Sequence, residues 1–509
     1  MPNTENNKRI ARNTGMLYLR MFFTMGVSLF TSRVVLNTLG VVDFGIYNVV
    51  GGIVVMFAFL NGTLGSGTQR FITFQLGKND FDELKKIFSI SLSLHAIIAL
   101  IILILAETIG LWFLNNKLNI PLDRLNAAQW VYQFSVLASV ISIIQVPYNA
   151  SIIAHENMSV YAYVSIVEVL LKLILIYLLW VSNYDKLIVY SFLIFAVSLL
   201  TMLIYRIYCK KKYPECNYYY VWDKKIFQSM LNFSGWNIFG VLAFTGANQG
   251  INILLNIFFG PSVNAARAVS YQVSSSVNAF VTNFQTAVSP QIVKLFAENK
   301  IEELKQLVFQ NAKYAFLLLL FISLPVMFEL EIILYLWLKN VPDSTVLFCR
   351  IILIQSLLYS INTPFIMAIH AVGKTKFINL TGGVALLMVL PISYVLLKMN
   401  FPAYFPFIIY ILGTLGEFYF DLYFLKKFIN LSYREFFVKT IFPIIQILLI
   451  SLVLPSLAYF LMDKGFFRLF TVFVFCSFSI LISSYFLAID ENIRLQIKNF
   501  ISYKIGFKK

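Results

Sequence analysis

Residues 232–290, NFSGWNIFGVLAFTGANQGINILLNIFFGPSVNAARAVSYQVSSSVNAFVTNFQTAVSP, predict two long membrane helices joined by a turn at Gly260-Pro261. Each helix carries polar side chains along one face, as the helical spacing of three to four residues requires. Polar groups are costly in hydrocarbon unless they face protein or water. We therefore expect both faces to line a central, hydrated cavity. The first polar stripe comprises Asn237, Thr245, Asn248, Asn252 and Asn256, and the second comprises Arg267, Tyr271, Ser274, Asn278 and Gln285.

The composition is that of a polytopic membrane protein. Of the 509 residues, 59% are hydrophobic and only 13% are charged, whereas soluble domains are nearer one quarter charged. The apolar runs have the length of membrane-spanning helices, about 20 residues, and are too long for the strands of a barrel. The fold predicted is therefore all-α, with about 14 membrane segments. They cover residues 12–38, 43–76, 83–113, 124–153, 157–181, 185–210, 224–258, 262–296, 302–334, 344–371, 375–398, 403–427, 436–462 and 466–489.

The basic residues are divided unequally between the two sides of the membrane. With the N-terminus inside, 28 of the 40 Lys and Arg residues fall in cytoplasmic segments, 7 in outer loops and 5 within membrane segments. Cytoplasmic loops characteristically carry such an excess. Both termini are therefore predicted to be cytoplasmic. The net charge of +16 then reflects topology and contact with the phospholipid bilayer, and nucleic acid is not expected as a partner.

A repeated spacing predicts two halves of six helices each. LNTLG at 36–40 and LNIFFG at 255–260 both end the first helix of a half, and DELKK at 82–86 and EELKQ at 302–306 follow at the same offset of 220 residues. Such an offset indicates parallel repeats. The expected domains are an N-terminal lobe at 1–209, a cytoplasmic linker at 210–223, a C-terminal lobe at 224–430, two further helices at 431–490 and a basic amphipathic cytoplasmic tail at 491–509.

Charges inside the predicted membrane segments indicate an anionic substrate. Each costs at least about 2.5 kcal/mol on insertion scales, so its position needs a reason. The first segment carries Arg20 in its inner half, Arg33 in its outer half and no acid, and Arg267 begins the second polar stripe near the outer end. Guanidinium groups bind phosphate oxygens bidentately, which favours a phosphate or pyrophosphate.

Some of these charges also have simpler explanations. Arg33 lies about one turn from the outer interface and can snorkel to it. Glu168 and Lys172 are four residues apart and can neutralise each other, although Lys172 can instead face the cavity. Glu417 and Asp421 either pair with neighbouring lysines or bind a cation. The four cysteines show no metal or disulfide spacing, and the sequence contains no phosphate loop or HExxH motif. We expect no catalytic residue, metal or cofactor.

Several short stretches resemble the MOP exporter superfamily, and within it the polysaccharide-biosynthesis branch, the Wzx-type O-antigen flippases. The chain is similar to this branch over residues 36–48, LNTLGVVDFGIYN, and 68–71, TQRF, and in its second half over 264–268, NAARA, and 289–291, SPQ. The resemblance implies two six-helix lobes with two extra helices in a bacterial cytoplasmic membrane. It also implies translocation of an undecaprenyl-pyrophosphate-linked oligosaccharide to the outer leaflet by alternating access, for O-antigen or capsule. Other membrane proteins of polysaccharide assembly are candidate partners.

The resemblance also implies which residues bind the substrate. The related lipid II flippase places arginines from its first, second and eighth helices in its cavity. Arg20 or Arg33 matches the first, and Arg267 matches the eighth. The second predicted segment has no central arginine, since Arg70 is near its cytoplasmic end, so a full triad is not predicted. A flippase makes and breaks no bonds, and its drive is expected from Na⁺, H⁺ or the membrane potential.

Two rival functions remain. The first is a cation-coupled multidrug exporter of the same fold, in which Glu417, Asp421 or Asp43 would carry the ion. The second is a membrane O-antigen polymerase or ligase. Such an enzyme needs catalytic residues on a substantial outer loop, whereas the outer loops here are short.

Overall fold

The computed structural model describes residues 3–57, 65, 68–69, 71–76, 80–155, 157–373, 375–489 and 494, and contains no β-strand in these ranges. The helices are α1 (Asn3–Phe57), α2 (Phe81–Leu105), α3 (Leu111–Lys117), α4 (Leu125–Ala154), α5 (Met158–Val181), α6 (Lys186–Lys212), α7 (Lys224–Phe259), α8 (Pro261–Ala297), α9 (Ile301–Phe328), α10 (Leu330–Leu338), α11 (Thr345–Val372), α12 (Thr375–Leu387), α13 (Val389–Lys398), α14 (Phe405–Ile429), α15 (Tyr433–Phe436), α16 (Phe442–Leu461) and α17 (Phe466–Leu487). The predicted all-α class is confirmed.

The predicted number of membrane segments is approximate. Among the described residues, 12 helices are long and apolar enough to cross a membrane. The count is lower than 14 partly because α1 runs through the boundary between the first two predicted segments, so these two count as one helix. Gly40 interrupts it with φ 81° and ψ 171°, a conformation that glycine adopts without a Cβ penalty. The count is also lower because α8 is not among the 12. This helix is long enough to span a membrane, but it carries a stripe of polar side chains.

The chain divides into two compact units. The first contains residues 1–269, 342–344 and 383–409, and the second contains residues 270–341, 345–382 and 410–509. The start of α8 therefore belongs to the first unit and the remainder to the second. The lobe boundary predicted at 210–223 follows a sequence repeat and stays a prediction, as do the other predicted domain limits.

The first unit is held together by close helix packing and one ionic hub. A Cβ on Gly45 of α1 would overlap the carbonyl oxygen of Pro261 at the start of α8, so only glycine allows this approach of the two backbones. Arg124, just before α4, donates to both oxygens of Asp43 at 2.8 and 2.6 Å and to both oxygens of Asp185 at 2.6 and 3.1 Å. This hub joins α1, α4 and the N-cap of α6.

The second unit has one large apolar core, formed largely by α8, α9, α11, α14, α16 and α17. Phe365 and Phe436 pack edge to face with ring centroids 5.0 Å apart. Arg468 of α17 binds Glu329 through Nε–Oε1 at 2.8 Å and Nη2–Oε2 at 3.0 Å, and both side chains are buried. The predicted basic tail at 491–509 lies outside the described residues except for Arg494, which donates to the carbonyl oxygens of Phe486 and Ile489.

Candidate functional site

Arg267 is a buried cation near the beginning of α8, with 6% of its surface exposed. Its Nη2 donates to the backbone oxygen of Asn248 at 2.8 Å and to the side-chain oxygen of the same residue. Both acceptors are neutral, so these two bonds orient the guanidinium without cancelling its charge. The turn at Gly260, where φ is 80°, brings α8 back beside α7 so that this contact can form.

The asparagines next to Arg267 bind to protein atoms. Asn264 donates to the backbone oxygen of Asn252 at 2.6 Å and to its side-chain oxygen at 2.7 Å. Asn252 in turn donates to the backbone oxygen of Asn48 on α1 at 3.2 Å. Asn256 accepts a bond of 2.8 Å from the backbone amide of Asn119. The buried part of the first polar stripe thus faces protein and ties α7 to α1 and α8.

From Ser274 onward, the second polar stripe binds to α11 within the second unit. The hydroxyl oxygens of Ser274 and Ser356 are 2.9 Å apart, and Asn278 Nδ2 donates to Ser356 Oγ at 3.0 Å. Further along, Gln285 Nε2 donates to the backbone oxygen of Ser360 at 3.0 Å. Tyr271 is half-buried on the same helix. The structure therefore pairs most of this stripe with serines that the sequence analysis did not single out, although their spacing of four residues on an apolar helix is a detectable signal.

The remaining predicted cations differ in their surroundings. Arg33 is half-buried on α1, and the side chain of Arg20 lies outside the described residues, as does that of Asn237. Lys172 Nζ donates to Glu168 Oε1 at 2.7 Å within α5, and each side chain is about one third exposed. This pairing is the simpler of the two explanations considered above, and it neutralises Lys172.

The three acids proposed for cation coupling also differ. Asp43 is held by Arg124, so its charge is already compensated. Glu417 and Asp421 are buried on α14, and neither oxygen of Asp421 nor Oε2 of Glu417 has a hydrogen-bond partner among the described residues. Asn362 of α11 approaches Asp421 but stays outside hydrogen-bond geometry, and both of its polar atoms are buried without a partner. Asn362 was missed in the sequence because it is one of only two amides, with Gln355, in a long apolar helix.

The cluster of Glu417, Asp421 and Asn362 offers few oxygen ligands. A Cβ on Gly382 would lie 3.1 Å from Cγ of Glu417, so glycine leaves room for the carboxylate. In the described part of the chain, no three His, Cys, Asp or Glu residues come together as a metal site. Two carboxylates and one amide oxygen suit a proton or a hard monovalent cation, because such ions prefer oxygen ligands.

The comparisons with known proteins concern both sequence and fold. The MatE family model matches residues 17–178, and no curated protein matches the sequence. Among solved structures, the lipid II flippase MurJ in an inward closed conformation is similar with a TM-score of 0.67 and 13% identity, over 92% of this chain and 98% of that chain.

Two transporters are also similar to this chain in fold. An outward-facing multidrug resistance MATE family transporter of the MOP superfamily has a TM-score of 0.60 at 15% identity, over 82% of this chain and 95% of that chain. A MOP superfamily transporter from Pyrococcus furiosus has a TM-score of 0.56 at 15% identity, with the same coverage of 82% and 95%. At these identities the likeness is one of fold. The family model and the fold together support the MOP superfamily.

Proposed function

We propose that this chain, whose fold is that of MOP-superfamily transporters and flippases, is a Wzx-type flippase of the bacterial inner membrane. Its substrate would be an undecaprenyl-pyrophosphate-linked oligosaccharide, moved from the inner to the outer leaflet by alternating access for O-antigen or capsule assembly. The observation that carries the proposal is Arg267, a buried guanidinium oriented by neutral oxygens of Asn248. A fold that also serves a lipid II flippase supports it.

The role proposed for Arg267 is binding of the pyrophosphate. A buried guanidinium interacts strongly with an anion because the surrounding dielectric is low, and its planar donors match phosphate oxygens. Asn248 fixes the orientation of Nη2 through two neutral oxygens. Arg20 is proposed for first capture on the inner side and Arg33 for contact in the outer half of α1. Asn252, Tyr271, Ser274 and Asn278 would contribute neutral hydrogen bonds when the helices rearrange.

The charge of the substrate gives the membrane potential a role. Two negative charges leaving a cell whose interior is negative gain roughly 4.6 kcal/mol at 100 mV. Flipping of a pyrophosphate-linked lipid by the purified protein in vesicles is therefore expected to accelerate when an inside-negative potential is imposed. Equal rates with and without the potential would exclude this drive.

Substitution of Arg267 provides the central test. In cells that depend on this chain, Arg267→Ala should abolish surface polysaccharide and cause the lipid-linked oligosaccharide to accumulate inside, while Arg267→Lys should restore it only in part. Arg350→Ala is the matched control, since Arg350 is a half-buried arginine of α11 whose Nε binds the backbone oxygen of Met327 at 3.3 Å. Normal polysaccharide in a membrane-inserted Arg267→Ala variant would refute the proposed role.

Cation coupling is the second part of the proposal. Both oxygens of Asp421, Oε2 of Glu417 and the amide of Asn362 are buried without a hydrogen-bond partner among the described residues. Such groups are costly unless an ion or proton joins them. We expect Asp421→Asn to uncouple transport from a Na⁺ or H⁺ gradient, whereas Asp43→Asn should leave coupling intact because Arg124 already binds Asp43. Comparison of Na⁺-driven and H⁺-driven transport in vesicles identifies the ion.

The same acids favour one alternative function, a cation-coupled multidrug exporter. Transporters of that kind share the fold. Protection of cells against cationic dyes that is lost on Glu417→Gln would favour the exporter. Unchanged dye sensitivity together with accumulation of a lipid-linked oligosaccharide on deletion would favour the flippase.

A further inference from the structure

A basic pocket opens in the second unit where α9 begins, α16 begins and α17 ends. Its volume is about 370 Å³, within the usual range of ligand sites. The polar side chains that line it are Gln306, Gln310, Lys313 and Lys439. It shares no residue with the polar stripes of α7 and α8 or with the acids of α14.

An irregular helical turn places Lys439 at the pocket. Residues Phe437–Ile441 form a single π-helical turn between α15 and α16, and such turns are frequent at functional sites. Pro443 lines the pocket and has no N–H, so it cannot donate to the carbonyl oxygen of Lys439 as a residue of a regular α-helix would. Thr440 Oγ1 donates to the backbone oxygen of Phe309 at 3.2 Å. This bond fixes the π-turn, and with it Lys439, against α9.

The pocket concentrates positive charge. Lys313 is buried, whereas Lys439 is half-exposed at the rim, where Glu435 Oε2 lies 3.7 Å from its Nζ. The described lining contains these two lysines and no carboxylate. Arg494 adds a third cation beside the pocket, because it donates to the carbonyl oxygen of Ile489, a lining residue. An anion in this space would therefore have Lys313, Lys439 and Arg494 near it, with the carboxylate of Glu435 at the rim.

The surroundings of the pocket are those of a membrane surface. It lies at the ends of three helices that are long and apolar enough to cross a membrane, and Phe442 and Phe486 expose large apolar surfaces beside it. In the predicted orientation these helix ends face the cytoplasm. Basic pockets between helices on this side characteristically bind lipid headgroups, and exposed apolar side chains next to them accept acyl chains.

We propose that this basic pocket binds the phosphate headgroup of an anionic phospholipid of the inner leaflet. Lys313 would bind the phosphate at the base of the pocket, Lys439 would close over it at the rim, and Gln306 and Gln310 would bind the remaining headgroup oxygens. The site goes beyond the transport function, since binding needs neither substrate nor ion gradient.

The test is lipid binding to the full-length protein in detergent, measured by native mass spectrometry with phosphatidylglycerol as the probe. Lys439→Gln is expected to weaken binding about fivefold, and the double substitution Lys313→Gln, Lys439→Gln about 25-fold, as expected for two independent charges near a lipid phosphate. Glu435→Gln should strengthen binding, because it removes the carboxylate that lies beside Lys439. Lys427→Gln is the matched control, an exposed lysine at the end of α14 outside the pocket, and should leave binding unchanged.

Three further measurements identify the source of the phosphate and control for misfolding. Phosphatidylcholine at the same concentration should bind several-fold more weakly than phosphatidylglycerol, and inorganic phosphate should not displace phosphatidylglycerol. Displacement by inorganic phosphate would overturn the lipid assignment in favour of a free anion. Lys313→Arg, which keeps the charge, should retain binding if the pocket is intact. Equal binding by the wild type and Lys439→Gln would refute the site.

Discussion

The side-chain amide of Asn264 on α8 donates two hydrogen bonds to Asn252 on α7, one to its backbone oxygen at 2.6 Å and one to its side-chain oxygen at 2.7 Å. Asn252 in turn donates a hydrogen bond to the backbone carbonyl oxygen of Asn48 on α1. Three helices of the first unit are thus joined by two amide side chains. In an apolar environment these bonds replace contacts with water that are not available there.

We expect Asn264→Leu to lower the thermal unfolding temperature of the detergent-solubilised protein. The substitution removes both bonds to Asn252, and interhelical hydrogen bonds in membrane proteins contribute about 0.6 kcal/mol on average and up to about 1.7 kcal/mol. Asn116→Leu is the control, because Asn116 is exposed and donates to the backbone oxygen of Trp112 in its own helix. A decrease no larger than that of the control would show that the bonds to Asn252 contribute nothing to stability.

Two glycines of α1 should respond to alanine in opposite directions. Gly45→Ala places a methyl group on the carbonyl of Pro261, and overpacking of this kind costs about 1–3 kcal/mol or more. A Cβ on Gly51 has no neighbour within 4 Å, so Gly51→Ala should be neutral or stabilise the helix by up to about 1 kcal/mol. Thermal unfolding of both variants measures the difference. Equal stability of the two would contradict the close contact between α1 and α8.

The ion pairs Arg468–Glu329 and Lys464–Glu331 provide a matched comparison of burial. Arg468→Met leaves a buried carboxylate, at a cost of about 3–5 kcal/mol, and adding Glu329→Gln should recover most of this loss. Lys464→Met breaks a pair of 2.6 Å whose side chains are half-exposed, so it should cost at most about 1 kcal/mol. Double-mutant cycles on thermal unfolding give both coupling energies. Coupling of similar size in the two pairs would be inconsistent with the burial of the first.

His155 should make the first unit sensitive to mild acid. Burial lowers the pKa of His155, and the carboxylate of Glu215, 3.0 Å from Nε2, opposes this shift only in part. The unfolded chain therefore binds a proton more readily than the native one, so stability falls as the pH drops below about 6.5. His155→Gln should reduce the loss of unfolding temperature between pH 7.5 and pH 5.5. Glu215→Gln should enlarge it, since it removes the charge that favours protonation.

The sequence predicted the all-α membrane fold because long apolar runs have few alternatives to a helix in lipid. It located the polar stripes, but not their partners. Ser356 and Asn362 lie far along the chain from Asn278 and Asp421, and periodicity within one helix does not reveal which other helix it meets. The contact of Arg124 with Asp43 and Asp185 was missed for the same reason. The MatE family model over residues 17–178 and the likeness in fold together support the MOP superfamily, whereas the O-antigen branch rests on short motifs and stays a prediction.

The hub of Arg124 with Asp43 and Asp185 also constrains the order in which these positions can change during evolution. Loss of Arg124 first would leave two carboxylates facing each other without a counterion, whereas loss of either aspartate first leaves a balanced pair. During evolution, one of the two aspartates should therefore be lost before Arg124. Among relatives of this chain, a protein lacking the arginine should lack at least one of the aspartates, and the reverse need not hold.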